Sequence, residues 1–336
     1  MKNEILLKSI YENCKIKEPI LIEFINHPIM QRLKNISMGG TNVLAIPNFP
    51  DYSRFEHSIN VLILLIKYEA NLEEQIAGLL HDASHTVFSH VGDFLFKQAE
   101  YQDNIHEWYL KELKIDKLLE KYNLSLNNIL HKTGIHKLLE QDLPDICIDR
   151  LEYNLFNAFK FKILTKQEIW EILENLKFEN NFWFFDNPQL AAKFANISLY
   201  MTQNVWASAW GILTYKWTSQ ALEIALKENI LNIKDINFST DNIVLKKLKD
   251  SKNKEILEFL NKIKNNKKYF EINNNNFDQV LYGKFRGIDP LIKHKNNFIR
   301  LTELDQNFAQ NYNHIKNLIK NGWKIVLKNH DKQNYK

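Results

Sequence analysis

The sequence predicts a mainly α protein: a helical body over residues 1–268 that contains one short β-hairpin, and a small α+β C-terminal subdomain over residues 269–336. Two observations predict the helical body. Only 9 glycines and 7 prolines interrupt 336 residues, so long helices can continue, and apolar residues recur at helical spacing. A third observation predicts the subdomain, because the pattern becomes strand-like after about residue 269.

The individual elements follow from local signals. Ile20, Leu21, Phe24 and Ile25 lie on one helical face, and Ser53 is a typical N-cap. The predicted helices are residues 19–38, which end at Gly39-Gly40, about 54–70, about 73–81, most of 189–230 and one near 305–320. The predicted strands are a hairpin between 176 and 185, then 269–272, 280–288, 298–301 and 323–327, with a loop at 273–276.

Composition excludes several classes of protein. Hydrophobic residues make up 45% and charged residues 25%, as in ordinary globular proteins, and no apolar run reaches the roughly 18 residues of a membrane span. A net charge of +4 is too balanced to indicate nucleic-acid binding. The basic stretch 246–268 is read as a solvated helix face, with an anion-binding surface as the alternative. Cys14 and Cys147 do not make a disulfide framework, and no secretory signal is visible, so we expect a cytoplasmic protein.

Histidines cluster in one part of the chain. Five of the 11 fall within fifty residues: His57, His81, His85, His90 and His106. His81 and His85 are four residues apart and share a helical face, Asp82 follows directly, and His57 lies one predicted helix earlier among apolar residues. So many imidazoles against apolar surface are unfavourable unless something binds them.

Imidazole and carboxylate together suit a divalent cation. The sequence does not distinguish Mn, Fe, Co, Ni, Zn or Mg. A lone His-Asp pair is a weak signal. The pair His81-Asp82 together with the other clustered histidines is a much more specific one. Spacing does not identify a fourth protein ligand. Asp149 is a candidate, although its periodicity alone is more typical of an ordinary carboxylate on a helix surface.

The motifs resemble those of the HD-domain phosphohydrolases, and within them the dNTP triphosphohydrolase branch. The resemblance is close over residues 17–110 and looser after about residue 160. It rests on these segments: Gln31-Arg32-Leu33, Gly39-Gly40, Arg54-Phe55-Glu56-His57-Ser58, Ala77 to Asp82, Phe88-Ser89-His90, Asp149 to Tyr153, and Lys284 to Pro290. It implies one divalent metal ion held by His57, His81, Asp82 and Asp149.

The resemblance also implies catalytic roles. By position, His85 contacts the phosphate under attack, and Asp93 orients either His85 or the attacking water. His106 is a neighbouring acid or phosphate contact, and Glu107 orients it. Implied substrate contacts are Arg54 and Arg150 to phosphates and Tyr153 beside the sugar.

Several positions depart from that branch. Ser37 or Met38 stands where the family carries a Gln that reads the sugar hydroxyl, and Asn157 stands where an Asp near the sugar is common. The later helix that grips the polyphosphate keeps only Tyr215 and Lys216 as plausible phosphate contacts. These changes do not touch the predicted metal ligands. They fall on residues that would contact the sugar and the phosphates, so the resemblance does not identify the substrate.

Three functions therefore compete. The first is a metal-dependent hydrolase that converts a (deoxy)nucleoside triphosphate to nucleoside and triphosphate. The second is a 5′-nucleotidase or a cyclic or oligonucleotide phosphodiesterase on the same fold, and the third is a non-catalytic nucleotide sensor. The resemblance further implies a homo-oligomer, a dimer or higher, with nucleotide effector sites between subunits, and no membrane partner.

Overall fold

The computed structural model describes residues 4–295 and 297–328. The protein is 56% helical, and the described residues form 17 α-helices with a few small sheets, which confirms the predicted mainly α class. No helix among these residues is long and apolar enough to cross a membrane. Cys14 and Cys147 are both buried and free, as expected from their number.

The chain begins with a hairpin that periodicity did not predict. Strands β1 (Ile5–Lys8) and β2 (Asn13–Ile16) pair antiparallel. The single helix predicted over 19–38 is instead two helices, α1 (Pro19–Asn26) and α2 (Pro28–Leu33). The break falls at Pro28, because proline has no amide hydrogen to continue the first helix and disfavours helical backbone in the residue before it.

The next helices carry most of the candidate site. Helix α4 begins with a capping box in which Ser53 and Glu56 each satisfy the other's backbone amide. Helix α5 packs against α4 so closely that a Cβ at Gly78 would lie 2.2 Å from the Leu65 side chain. The bounds are α3 Asn42–Ala45, α4 Arg54–Lys67, α5 Leu72–Leu80, α6 Val91–Leu95, α7 Tyr101–Glu112 and α8 Ile115–Glu120.

The middle of the chain returns to long helices around one hairpin. The bounds are α9 Ile148–Lys160, α10 Lys166–Asn175, β3 Leu176–Glu179, β4 Phe182–Phe185, α11 Pro188–Met201, α12 Ala209–Lys227, α13 Ile233–Phe238, α14 Asp241–Asp250 and α15 Lys254–Lys264. The predicted hairpin is present, with Leu176 opposite Phe185. A π-helical turn, Thr202–Trp206, separates α11 from α12.

The C-terminal part mixes short strands and helices. The bounds are β5 Phe270–Ile272, β6 Gln279–Leu281, β7 Leu291–His294, β8 Asn297–Arg300, α16 Leu301–Leu304, α17 Gln306–Asn321 and β9 Trp323–Leu327. The strand predicted over 280–288 was wrong beyond residue 281, because the chain runs without strand pairing from 282 to 290.

Two of the sheets include C-terminal strands. One has the order β5-β9-β6, and the other has the order β3-β4-β7-β8. In the second, β4 pairs parallel with β7, with Phe184 opposite Leu291. This sheet contains strands from both sides of residue 268, and the domain division at that point stays a prediction.

Candidate metal centre

Three side chains from three helical segments meet at one point. His57 lies on α4, His81 follows the last residue of α5, and Asp149 is the second residue of α9. His57 Nε2 lies 3.2 Å from His81 Nε2 and 3.0 Å from Asp149 Oδ1, and His81 Nε2 lies 3.5 Å from the same oxygen. One ligand atom from each residue lies within 4.8 Å of the other two, an arrangement that suits a single cation.

Asp82 lies at the edge of this cluster. Its Oδ1 is 3.5 Å from His81 Nε2 and 3.2 Å from His85 Nε2, and its Oδ2 is 3.8 Å from His57 Nε2. Arg54 donates from Nη1 to Oδ2 at 2.6 Å. Burial raises the pKa of Asp82, but Arg54 and the two nearest histidines outweigh it and hold this pKa well below its ordinary value.

The far nitrogen of each clustered imidazole has a protein partner. His81 Nδ1 donates to the Gly78 carbonyl oxygen at 2.7 Å, and His57 Nδ1 hydrogen-bonds to Glu152, whose other oxygen accepts from Asn60 Nδ2 at 2.8 Å. These partners place a hydrogen on Nδ1 of both rings. Outer contacts of this kind fix the tautomer and orientation of metal-binding histidines.

The donor set fits a cation. With hydrogens on both Nδ1 atoms, the Nε2 lone pairs of His57 and His81 face each other and an Asp149 oxygen, so hydrogen-bond acceptors converge without a donor. Such a buried cluster is unfavourable unless a proton or a metal ion occupies it. Burial lowers the pKa of His57, but Glu152, Asp149 and Asp82 outweigh burial and raise it to about 10. The same carboxylates that hold this proton would stabilise a divalent ion in its place.

Next to the cluster lies a pair of histidines. The rings of His85 and His90 meet edge to face with centroids 5.1 Å apart. Burial and the charge of Arg54 lower the pKa of His85 to about 3, so this imidazole is neutral at pH 7. Asp93 lies 3.3 Å from His90 Nδ1 and accepts from the Tyr101 amide. It therefore orients His90, whereas the resemblance implied that it orients either His85 or the attacking water.

His106 is held by a different group than expected. Its Nδ1 lies 2.9 Å from Ser84 Oγ, which in turn donates to the Gln102 carbonyl oxygen. Burial and neighbouring His131 hold the pKa of His106 well below its ordinary value. The prediction that Glu107 orients His106 was wrong, because Glu107 points to solvent and pairs with Lys111 one helical turn later.

The two arginines of the predicted phosphate site have different surroundings. Arg54 is 2% exposed and also donates from Nε to Ser89 Oγ at 2.8 Å, whereas its Nη2 has no hydrogen-bond partner among the described residues. Arg150 donates to the Asp145 carbonyl oxygen and to Glu140. Arg54 is thus the better placed of the two to receive an anion.

Each of the remaining predicted substrate contacts has a partner within the protein. Tyr153 packs edge-on against Trp206, and Asn157 donates to the Tyr153 carbonyl oxygen at 2.6 Å. Tyr215 donates to the Gly39 carbonyl oxygen at 3.1 Å, and its side chain faces Arg54 closely enough to feel its charge. Lys216 donates instead to Gln279 on β6 at 2.8 Å.

Sequence reasoning missed several residues around the cluster. Glu152 was noted only as part of a motif, although its spacing from Asp149 is that of one helical turn. His131 lies 4.7 Å from His106 between ring centroids and bonds Asp103 at 3.2 Å. No signal in the sequence joins His131 to the cluster, because it comes from a short 3₁₀ turn. Arg286 was likewise noted only as part of the motif from Lys284 to Pro290, and it comes from the C-terminal part of the chain.

Sequence comparisons agree with this geometry. The HD domain family matches residues 54–152, which include every residue of the metal cluster. The chain is 33% identical to the uncharacterized protein YdhJ of Bacillus subtilis over 280 residues, 81% of this chain and 84% of that protein. It is 29% identical to the metal-dependent phosphohydrolase cns2 of Cordyceps militaris over 66% of both chains.

A third relative matches a shorter region. The deoxynucleoside triphosphate triphosphohydrolase SAMHD1 of Danio rerio is 39% identical over 93 residues, which are 23% of this chain and 15% of that protein. Among solved structures, a phosphohydrolase from Bacteroides thetaiotaomicron superposes with a TM-score of 0.71 at 15% identity, covering 96% of this chain and 99% of the other. At that identity the superposition shows a shared fold alone.

Proposed function

The chain belongs to the HD-domain family of metal-dependent phosphohydrolases, and on this premise we propose that it hydrolyses a (deoxy)nucleoside triphosphate to nucleoside and triphosphate. The observation that carries the proposal is the convergence of His57, His81 and Asp149 within 4.8 Å beside a buried arginine. The similarity of a 93-residue region to a deoxynucleoside triphosphate triphosphohydrolase supports the choice of substrate.

In this proposal His57, His81, Asp82 and Asp149 hold one divalent ion. When bound, such an ion acidifies water and stabilises negative charge on a phosphate oxygen. Arg54 adds a fixed positive charge beside Asp82, and its unpartnered Nη2 is available to a phosphoryl oxygen. Water attacks the α-phosphorus, the bond to the 5′-oxygen breaks, and that oxygen must gain a proton.

We assign this proton to His106. The Nδ1 atom of His106 donates its hydrogen to Ser84 Oγ, so a proton that His106 gives to the leaving oxygen must come from Nε2. Burial keeps His106 neutral in the free protein. The negative charge of a bound polyphosphate raises the pKa of a nearby imidazole, so we expect His106 to become an acid only with substrate present.

A second candidate is a phosphomonoesterase or phosphodiesterase acting on a nucleotide. One observation favours it: Lys216, one of the two polyphosphate contacts retained on α12, bonds Gln279 instead. Product analysis separates the two candidates. The purified protein is incubated with Mn²⁺ and separate panels of dNTPs, NTPs, monophosphates and cyclic dinucleotides. Triphosphate identified by mass supports the proposal, and orthophosphate or a linearised dinucleotide supports the alternative.

Asp82→Asn tests the metal chemistry. Asp82 contacts His81, His85 and Arg54, so we expect loss of bound metal and of turnover, with the helical circular dichroism unchanged. Asp250→Asn is the control, because Asp250 is exposed and its one ion pair among the described residues is with Lys246 on the surface. Wild-type turnover by Asp82→Asn would remove Asp82 from the mechanism.

A further inference from the structure

Arg286 lies in the extended segment 284–289 between β6 and β7, and this segment is firmly held. The carbonyl oxygen of Arg286 accepts a hydrogen bond from Ser198 Oγ on α11 at 3.0 Å. The next residue, Gly287, has no room for a side chain, because a Cβ there would lie 2.8 Å from Leu199. The backbone that carries Arg286 is thus fixed against α11.

The neighbours of Arg286 anchor the same segment on both sides. Lys284 pairs with Glu100 at 2.5 Å. Phe285 packs edge-on against Tyr312, with ring centroids 5.2 Å apart, and Ile288 is fully buried. Because this backbone is already ordered, binding of a ligand by the Arg286 side chain costs little additional backbone entropy.

The guanidinium of Arg286 differs from the other four in the chain. It is half-buried and makes no ion pair or side-chain hydrogen bond with any residue in the described part of the chain. The other arginines each donate to a carboxylate or carbonyl oxygen: Arg32, Arg54, Arg150 and Arg300. A partly desolvated guanidinium is favourable when an anion completes its hydrogen bonds.

The segment that carries Arg286 lies beside the candidate site, because Lys284 pairs with Glu100 at the start of α7, the helix that carries His106. Burial lowers the pKa of His90, and the charges of Arg286 and Arg54 lower it further. Burial raises the pKa of Tyr153 and of Tyr215 to about 12 each, and Arg286 opposes both shifts. These three residues come from the start of α6, from α9 and from α12, and each of them feels the charge of Arg286. The charge of Arg54, which lies on α4, also lowers the pKa of His90 and of Tyr215.

We propose that Arg286 binds a phosphate group of the substrate other than the one attacked beside the metal cluster, so that the C-terminal segment completes a polyphosphate site. The inference rests on the proposed function. A guanidinium can hold a phosphate with two parallel hydrogen bonds. Of the two retained contacts on α12, Lys216 has another partner. Arg286 therefore supplies a cation that this helix does not.

Binding of inorganic tripolyphosphate in the presence of Mn²⁺ tests the inference without turnover. By calorimetry, Arg286→Gln should weaken tripolyphosphate binding by about 10- to 100-fold, the usual range for a charged hydrogen-bonding group, and change orthophosphate binding by less than about threefold. Arg286→Lys keeps the charge and the stem but not the paired donors, and should recover only part of the affinity. Lys117→Gln removes one positive charge from the exposed face of α8, where Lys117 pairs with Glu120, and is the control; it should bind both anions like the wild type.

Two results would overturn the inference: wild-type tripolyphosphate affinity in Arg286→Gln, or an equal loss of orthophosphate and tripolyphosphate binding. Should Arg286→Gln fail to fold, Arg286→Lys decides alone, and full wild-type affinity in that variant counts against paired donation. Product analysis keeps this test apart from the function itself. If the wild type releases triphosphate while Arg286→Gln keeps its KM and tripolyphosphate affinity, the function stands and the inference fails. If the wild type releases no triphosphate, the proposed function fails first.

Discussion

At the scale of single residues, Glu152 shows how the metal site depends on a side chain that touches no metal. It is fully buried, bonds His57 Nδ1 with one oxygen and accepts from Asn60 with the other. Asn60 in turn accepts from Ser9 at 2.7 Å. This chain of contacts runs from the N-terminal hairpin to the cluster and keeps the His57 Nε2 lone pair directed at Asp149.

Replacing Glu152 by Gln should weaken metal binding by about 10- to 100-fold, the usual effect of removing such a partner. The Gln amide can place an N–H opposite His57 Nδ1, which favours the tautomer with hydrogen on Nε2, where the metal binds. Titration with Mn²⁺ measures the change. Glu171→Gln, on the exposed face of α10, is the control, and equal affinities in the two variants would contradict the assignment.

Asp241 gives a pH dependence that is independent of the cluster. Its carboxylate accepts from the amides of Ser37 and Phe88 at 2.8 and 2.7 Å. Burial raises the pKa of Asp241 to about 6, against the opposing effect of these hydrogen bonds and of Arg32. Because the folded carboxyl binds its proton more tightly than the unfolded one, the contribution of Asp241 to stability falls as pH rises from about 4 to about 6.

Asp241→Asn removes this titration. The Asn side chain keeps one acceptor oxygen in place of two, so the variant should be less stable at pH 4, and its deficit should shrink by about 2 kcal/mol between pH 4 and pH 7. Urea unfolding of both proteins at several pH values measures the difference. A deficit that is constant with pH would show that Asp241 has no raised pKa in the folded protein.

At the scale of elements, the glycine turn between α2 and α3 fits against the segment that follows the histidine motif. Gly40 has φ of +55°, and a Cβ there would lie 2.6 Å from the Phe88 carbonyl oxygen. The same turn receives the Tyr215 hydroxyl at Gly39. The prediction that this pair ends a helix was therefore wrong, since α2 already ends at Leu33 and the glycines serve close packing.

Gly40→Ala should reduce the free energy of unfolding by about 3 kcal/mol, from left-handed backbone strain and the clash with Phe88 together. Gly134→Ala is a matched control. Gly134 has φ of +77°, but nothing in the described structure lies within 4 Å of a Cβ there, so strain alone should cost about 1 kcal/mol. Denaturant unfolding compares them, and equal losses would refute a packing role for Gly40.

At the scale of the whole molecule, the C-terminal residues are part of the same framework as the helical body. Strand β4 pairs with β7, and Phe184 packs against Phe298 with ring centroids 4.8 Å apart. Trp323 Nε1 donates to the Ala207 carbonyl oxygen at 2.6 Å. These contacts join residues more than a hundred positions apart.

We expect a chain of residues 1–268 to lose cooperative unfolding, because removing β7 exposes an edge of β4 and the apolar surface that residues 269–295 and 297–328 cover. Thermal unfolding followed by circular dichroism, with the full chain as reference, tests this. A cooperative transition in the shorter chain would establish residue 268 as a true domain boundary.

Periodicity, caps and metal-binding residue types are local signals, and from them the sequence predicted the mainly α class, helices such as α4, α5 and α17, the hairpin at 176–185 and the clustered histidines with Asp82. Asp149 joined the predicted ligand set only through the family resemblance. The partner of each of these side chains became visible in the folded chain alone. Asp93 bonds His90, Glu107 turns to solvent and Glu152 orients His57, and the C-terminal segment that carries Arg286 pairs with the start of α7 through Lys284. The reason is physical: hydrogen bonds and charge contacts between distant segments depend on how helices pack, and spacing along the chain carries no record of that packing.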